Sequence, residues 1–139
     1  MTQSDIKKIV ENLIQTFLDA GKISIDLRKK GLTKEIKSDN TPVSNGDLEV
    51  NKILSKKILS LTPNIPIVSE ETSENKSKNN LENFWLIDPI DGTYDYINDL
   101  DEFTINAGLI IQKKPVAGLI YAPATVSYTH LTLPTRRGG

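Results

Sequence analysis

Phe84-Trp85-Leu86-Ile87-Asp88-Pro89-Ile90-Asp91-Gly92-Thr93 reads as a buried strand that runs straight into a turn carrying two aspartates. Pro89 fixes its own φ and cannot extend a hydrogen-bonded ladder, so the strand is expected to stop at Asp88. Gly92 permits a tight bend. Across such a turn Asp88 and Asp91 can come to one side, with the Ile90 carbonyl between them. The N–H groups of Gly92 and Thr93 would then open the next helix, a natural place for an anion. Shortly before, Ile65 to Ser69 reads as a short strand that delivers Glu70-Glu71. Two unit charges about 4 Å apart repel by roughly 4 kcal/mol at an effective dielectric of ~20. Gathered carboxylates therefore need a cation, a shared proton or water. Taken singly, Asp-Gly is a turn signal and paired glutamates are a solvated surface. It is the six residues from Asp88 to Thr93 following an apolar strand, with a second acid-tipped strand nearby, that argue for a site.

The chemistry of that site is narrowed by composition. The chain has 139 residues, no Cys and one His, so thiolate and disulfide chemistry are excluded and oxygen ligands suit Mg²⁺ best. A net charge of −1 gives no sign of a nucleic-acid or anionic-membrane binder. No apolar run approaches the ~20 residues of a transmembrane segment, no signal peptide is apparent, and the lack of Cys fits a cytoplasmic protein. Hydrophobic residues at 37% are enough for one domain with a real core.

Outward from the acidic turn, the rest of the chain supplies a scaffold. Ile6, Ile9, Val10, Leu13, Ile14, Phe17 and Leu18 recur at three- and four-residue steps, predicting one long helix from Ser4, its expected N-cap, to near Lys30, with Gly31 as the stop. Residues 32–40 are polar and alternating, a short strand pair or loop. Leu48, Val50, Ile53, Leu54, Ile58 and Leu61 mark a second helix, capped by Ser44 or Asn45 and closed before Pro63. Residues 72–80 contain no apolar side chain and read as an exposed loop. A short helix is expected from Thr93 to Asn98, then strands Phe103–Ile111 and Val116–Tyr121 joined by Gln112-Lys113-Lys114-Pro115. Helices first and antiparallel strands later predict an α+β layered architecture. Asp47, near the start of the second helix, is either a first-turn acid that favours the helix dipole or a catalytic group. Trp85 and the pair Tyr94 and Tyr96 read as packing, and Asp99 to Glu102 as a solvated loop.

The order Asp47, Glu70-Glu71, Asp88-Pro-Ile-Asp-Gly-Thr93 resembles the inositol monophosphatase superfamily of Mg²⁺-dependent phosphatases. Lys37-Ser-Asp-Asn-Thr-Pro-Val-Ser-Asn-Gly-Asp47, Trp85 to Thr93, Glu102-Phe-Thr-Ile-Asn106 and Gly118-Leu-Ile-Tyr-Ala-Pro123 are similar to its 3'(2'),5'-bisphosphate nucleotidase branch, of the CysQ type. The resemblance implies a layered αβαβα sugar-phosphatase fold, of which this chain would be the N-terminal half. It implies that Glu70, Asp88 and the Ile90 carbonyl hold one Mg²⁺ and Asp88 with Asp91 a second. Glu70 would touch a third, weaker ion, and Glu71 would stand just behind these ligands. Thr93, linked to Asp47, would orient the attacking water, and the Gly92 and Thr93 amides would bind the phosphate. The expected partner is a small phosphorylated nucleotide, adenosine 3',5'-bisphosphate, which would lose its 3'-phosphate to a monomeric or homodimeric enzyme.

The chain departs from the branch pattern in three places. Gly46 stands where Ala is usual. Tyr94-Asp95-Tyr96 stands where Lys-Glu-Phe is usual. No later Trp-Asp motif follows Asp101 to complete the second metal site, so the chain as given is expected to be inactive. Alternative readings are an inositol or sugar phosphatase, and a non-enzymatic cation-binding module around Asp95 to Glu102, whose Phe103 and Thr104 break the spacing of a Ca²⁺ loop. Residues 126–135 look like the translation of a sequencing-library adaptor. On that reading 1–125 is natural sequence, 126–139 a non-native tail, and His130 has no role; the other reading is a native strand and a loose tail.

Overall fold

The computed structural model describes residues 1–71, 81–125 and 127–133. Helix α1 (Gln3–Lys30) and helix α2 (Asn45–Leu61) lie against each other and cover one face of a sheet. A small antiparallel pair, β1 (Lys34–Ile36) and β2 (Pro42–Ser44), links them. The main sheet has the order β3 (Ile67–Ser69), β4 (Phe84–Asp91), β5 (Thr104–Ile111), β6 (Lys114–Ala122), β7 (Ser127–Thr132). β3 and β4 run parallel and every other neighbour is antiparallel. The short helix α3 (Thr93–Ile97) sits between β4 and β5. This is the α+β layering expected, with one parallel pair added.

The helical periodicity selects the buried face. Ile6, Val10, Leu13, Phe17 and Ala20 of α1 meet Val50, Leu54 and Ile58 of α2 and the inward side chains Trp85, Ile87, Ile105, Leu109 and Leu119 of the sheet in one core. Leu18, expected in that stripe, is 36% exposed, at the margin of the buried face. Trp85 is fully buried, and its indole N–H donates to Thr62 Oγ1 at 3.0 Å. That satisfies the one polar atom the ring takes into the core.

Several boundaries differ from expectation for identifiable reasons. The N-cap of α1 is Thr2, not Ser4. Its hydroxyl accepts from the Asp5 N–H at 3.0 Å, and the Asp5 carboxylate accepts from the Thr2 N–H at 2.8 Å, a reciprocal capping box. Gly31 ends the helix with φ 96°. Strand β4 does not stop at Asp88. Its register slips between Asp88 and Asp91, a bulge that absorbs Pro89, and pairing resumes with Asp91 opposite Thr104. The β5–β6 connection is two residues long, Gln112 and Lys113, both with positive φ, as a tight hairpin turn requires. Pro115 therefore already lies in β6, at a second register slip. The expected loop at 72–80 lies outside the described residues. Ser127–Thr132, in the stretch read as an adaptor-derived tail, forms β7 along the edge of β6.

Truncating Phe17 to Ala removes a fully buried ring from this core and is expected to cost ~3–5 kcal/mol. Leu18→Ala, one residue away, should stay within ~0.5 kcal/mol. Urea unfolding midpoints of the two variants check the assigned helix face.

Candidate active site

The site forms where the parallel strands β3 and β4 end and the first turns of α2 and α3 begin. Carboxyl ends of neighbouring strands are a common place for ligands in α/β sheets, because loops and helix starts converge there. A cleft of about 320 Å³ is walled by Glu70, Glu71, Asp88, Ile90, Asp91, Gly92 and Thr93, joined by Lys37, Asp39, Thr41, Pro42 and Tyr94. Every residue that the sequence analysis put at the site lines this cleft except Asp47.

Asp47 is wholly buried behind the cleft wall. Its two oxygens do different things. Oδ2 accepts from the Ser44 N–H at 2.9 Å and the Ser44 hydroxyl at 2.5 Å, closing a capping box at the start of α2. Oδ1 accepts from the Thr93 hydroxyl at 2.7 Å. The two sequence readings of Asp47, helix cap and site residue, are thus both realised in one side chain. The Ile90 carbonyl, 3.1 Å from Thr93 Oγ1, is the second acceptor within reach of that hydroxyl. Thr93 opens α3 directly after Gly92, whose φ of 90° is a left-handed conformation. A side chain at Gly92 would also come within 3.0 Å of the Glu102 carbonyl, so both conformation and space call for glycine.

The two glutamates separate. Glu70 is exposed at the rim, held by its N–H to the Ile87 carbonyl at 3.2 Å. The Glu71 side chain is only 4% exposed. Its backbone N–H donates to Ser69 Oγ at 3.2 Å, and the Ser69 hydroxyl donates in turn to Asn51 Oδ1 of α2 at 2.5 Å. That relay, which links α2 to the end of β3, has no periodic signature in the sequence. Glu71 Oε2 meets no hydrogen-bond donor among the described residues; Lys37 Nζ lies 3.8 Å away. Lys37 Nζ also lies 3.5 Å from the Glu70 carbonyl. Asp39 and Thr41, which the sequence did not mark, join the wall through an Asx turn: Asp39 Oδ1 accepts from the Thr41 hydroxyl at 2.5 Å and its N–H at 3.1 Å.

Charge is concentrated here. Burial, opposed by Lys37 and reinforced by Asp47, Asp88 and Glu70, pushes the Glu71 carboxyl up to about 7. Burial, reinforced by Asp91, Glu70 and Asp47, pushes Asp88 up to about 6. Among the described residues no three acidic or histidine side chains converge on a single metal-binding position. They share a cleft wall instead. The donor set nonetheless suits a hard dication: oxygen atoms only, one buried carboxylate oxygen without a donor among the described residues, and two carboxyls that burial, reinforced by neighbouring acids, holds high.

Behind α3 lies an ordered support. The Arg28 side chain is 11% exposed and grips Asp99 at 3.3 Å, Asp101 at 3.0 Å and the Leu100 carbonyl at 2.7 Å. Its guanidinium lies 5.7 Å from the Tyr96 ring centre and 5.1 Å from that of Phe103. Asp99 to Asp101 is therefore a clasp on α1 as well as an exposed loop. Tyr96 is buried as expected, while Tyr94 is 69% exposed at the cleft rim.

A family model described as the inositol monophosphatase family matches residues 5–134. The chain belongs to that family. Curated relatives include the 3'(2'),5'-bisphosphate nucleotidase CysQ of Haemophilus influenzae, 40% identical over 106 residues, covering 75% of this chain and 39% of that protein. The CysQ of Buchnera aphidicola is 37% identical over 120 residues, covering 84% of this chain and 45% of the relative. The chain thus spans less than half the length of these curated relatives. Among solved structures, the extragenic suppressor protein SuhB of Bartonella henselae superposes with a TM-score of 0.77 at 25% identity, over 90% of this chain and 48% of that one. An inositol monophosphatase of Thermotoga maritima gives 0.78 at 22% identity, over 88% and 47%. The mixed helix-and-sheet layers of this chain are therefore those of the family's fold, over about half its length. No helix of the described residues is long and apolar enough to cross a membrane.

A carboxylate whose pKa is raised on folding opposes the native state once it must ionise there. Stability from Glu71 and Asp88 is present below their unfolded values near 4 and is lost as pH rises through about 6 to 7. The metal-free chain should accordingly melt at lower temperature at pH 7.5 than at pH 5, and Glu71→Gln with Asp88→Asn should flatten that slope. Thermal melts across pH check the sign.

Proposed function

We propose that this chain carries the metal- and water-handling part of a Mg²⁺-dependent phosphomonoester hydrolase that removes the 3'-phosphate of adenosine 3',5'-bisphosphate. The observation that carries the reading is the Thr93–Asp47 hydrogen bond at the wall of a carboxylate-lined cleft. A threonine that gives its only hydroxyl proton to a buried carboxylate turns its lone pairs away from that acceptor. On this reading those lone pairs accept a hydrogen bond from the attacking water and fix its direction, while Asp47, which does not line the cleft, acts only through Thr93. Glu70, Asp88 and the Ile90 carbonyl would hold one Mg²⁺, Asp88 and Asp91 a second, and Glu70 would touch a third, with Glu71 close behind. Bound there, dications would make water a better nucleophile at neutral pH and offset charge on the leaving oxygen. The Gly92 and Thr93 amides would take phosphate oxygens, and Lys37 adds positive charge on the same side of the cleft. The neutral form that burial favours at Glu71 and Asp88 is the form a cation would displace.

The nucleotide substrate is supported by the sequence relatives, which are named for it. An inositol or sugar phosphatase remains the second reading, since the family name and the fold are shared with such enzymes. The protein is read as cytoplasmic, a monomer or homodimer, with no nucleic-acid partner.

Millimolar Mg²⁺ should raise the melting temperature of the 139-residue chain, because a ligand of the native state stabilises it; no shift would count against the metal assignment. In a protein of the relatives' full length, phosphate release from adenosine 3',5'-bisphosphate should far exceed that from inositol 1-phosphate. Thr93→Ala should lower kcat by ~10²-fold or more with little change in Mg²⁺ affinity. Faster release from inositol 1-phosphate would overturn the substrate, and full activity of Thr93→Ala would overturn the role of Thr93.

A further inference from the structure

Gly46 is the second residue of α2, directly before Asp47, and it is buried. A Cβ placed on it would stand 2.2 Å from Tyr96 Oη, 2.6 Å from Cε2 and 2.7 Å from Cζ. Real Cβ atoms do not come so close to other heavy atoms, so one partner would have to move. Tyr96 has little freedom to do so. It is fully buried on α3, three residues after Thr93, and its hydroxyl donates to the Ser24 carbonyl of α1 at 2.7 Å. Phe103 packs edge-on at 4.8 Å between ring centres, and the Arg28 guanidinium lies over the Tyr96 ring at 5.7 Å. The ring is thus wedged between α1, α2 and the start of β5.

The wedge sits beside the Thr93–Asp47 bond. Asp47 follows Gly46 on α2, and Thr93 lies one helical turn before Tyr96 on α3. Gly46 meets Tyr96 between these two helix starts, and the 2.7 Å Thr93–Asp47 bond spans the same gap. From this we infer that Gly46 and Tyr96 form one steric unit that sets the spacing of α2 and α3, and through it the direction of the Thr93 hydroxyl. Both are positioning residues, acting through Asp47 and Thr93. The catalytic meaning of that direction rests on the function proposed above; the steric unit itself does not.

The test has a sign that opposes the default. Glycine to alanine inside a helix ordinarily stabilises, since it restricts the unfolded chain. Here Gly46→Ala should lower the melting temperature of the 139-residue chain. In protein labelled at threonine methyls, the Thr93 resonance, identified by its loss in Thr93→Ser, should move toward its position in Asp47→Asn. Tyr96→Phe removes the oxygen and the tether to Ser24, so the ring can slide off the added methyl. Gly46→Ala/Tyr96→Phe should therefore recover both the resonance and part of the melting temperature, making the two substitutions non-additive. A Gly46→Ala chain that folds only with Tyr96→Phe or Tyr96→Leu supports the unit equally; one that stays unfolded with both overturns Tyr96 as the obstacle. A raised melting temperature, an unmoved Thr93 methyl or simple additivity overturns the proposal. Neither readout needs turnover, so a protein of the relatives' full length that hydrolysed no phosphate would sink the functional reading and leave this result standing.

Discussion

Asp47 is the joint on which the site hangs. A carboxylate with 0% exposure is tolerated only when donors surround it, and Asp47 has three: the Ser44 N–H, the Ser44 hydroxyl and the Thr93 hydroxyl. One oxygen starts α2; the other reaches across to α3. Removing either set would leave a buried oxygen unsatisfied, so the helix cap and the cleft wall cannot be separated energetically. The bulge at Pro89 and Ile90 serves the same joint. It keeps Asp88 and Asp91 on one strand while freeing the Ile90 carbonyl to approach Thr93 at 3.1 Å.

Around that joint the molecule sets rigid apolar packing against concentrated charge. The helices α1 and α2 and the inner face of the sheet supply the burial that favours folding. The cleft works against it, since Glu71 and Asp88 are partly desolvated among other acids. Such opposition is usual where groups are held for chemistry rather than for stability. Arg28 is part of the holding structure. Its ion pairs with Asp99 and Asp101 involve exposed carboxylates, 86% and 65%, and so contribute little by charge alone. Its stacking over Tyr96 and Phe103, in a nearly buried position, is what ties the α3–β5 connection to α1.

Gly46 and Tyr96 face each other across the gap between α2 and α3. The Tyr96 oxygen stands where a side chain on Gly46 would begin. Fifty positions separate them in the chain, and no rule of local spacing connects a helix-start glycine with a tyrosine in a different short helix. Glu70 and Glu71 show the same limit. Adjacent residues at a strand end point opposite ways, but which of them turns inward was decided by Ser69 and Asn51, a hydrogen-bonded pair from separate elements.

Periodicity and punctuation were enough for the elements: the apolar stripe of α1 from Ile6 to Phe17, the stop at Gly31, Ser44 as the cap of α2, and an apolar strand leading into acids. These are read locally because they depend on geometry that repeats every two or 3.6 residues. The places of Glu70, Glu71, Asp88 and Asp91 in the cleft were legible for the same reason, since they lie at the ends of recognisable strands; Asp39 and Thr41, held in an Asx turn, were not. The boundaries that moved did so through pairing: Pro89 was carried inside β4 by a bulge, and the hairpin shortened to two residues because β5 and β6 pair to their tips. Burial of Asp47 behind Thr93, the inward turn of Glu71 and the contact of Gly46 with Tyr96 came only from bringing α2, α3 and the ends of β3 and β4 together. Each depends on distance between residues far apart in sequence, and a linear chain carries no measure of that distance until the core has closed.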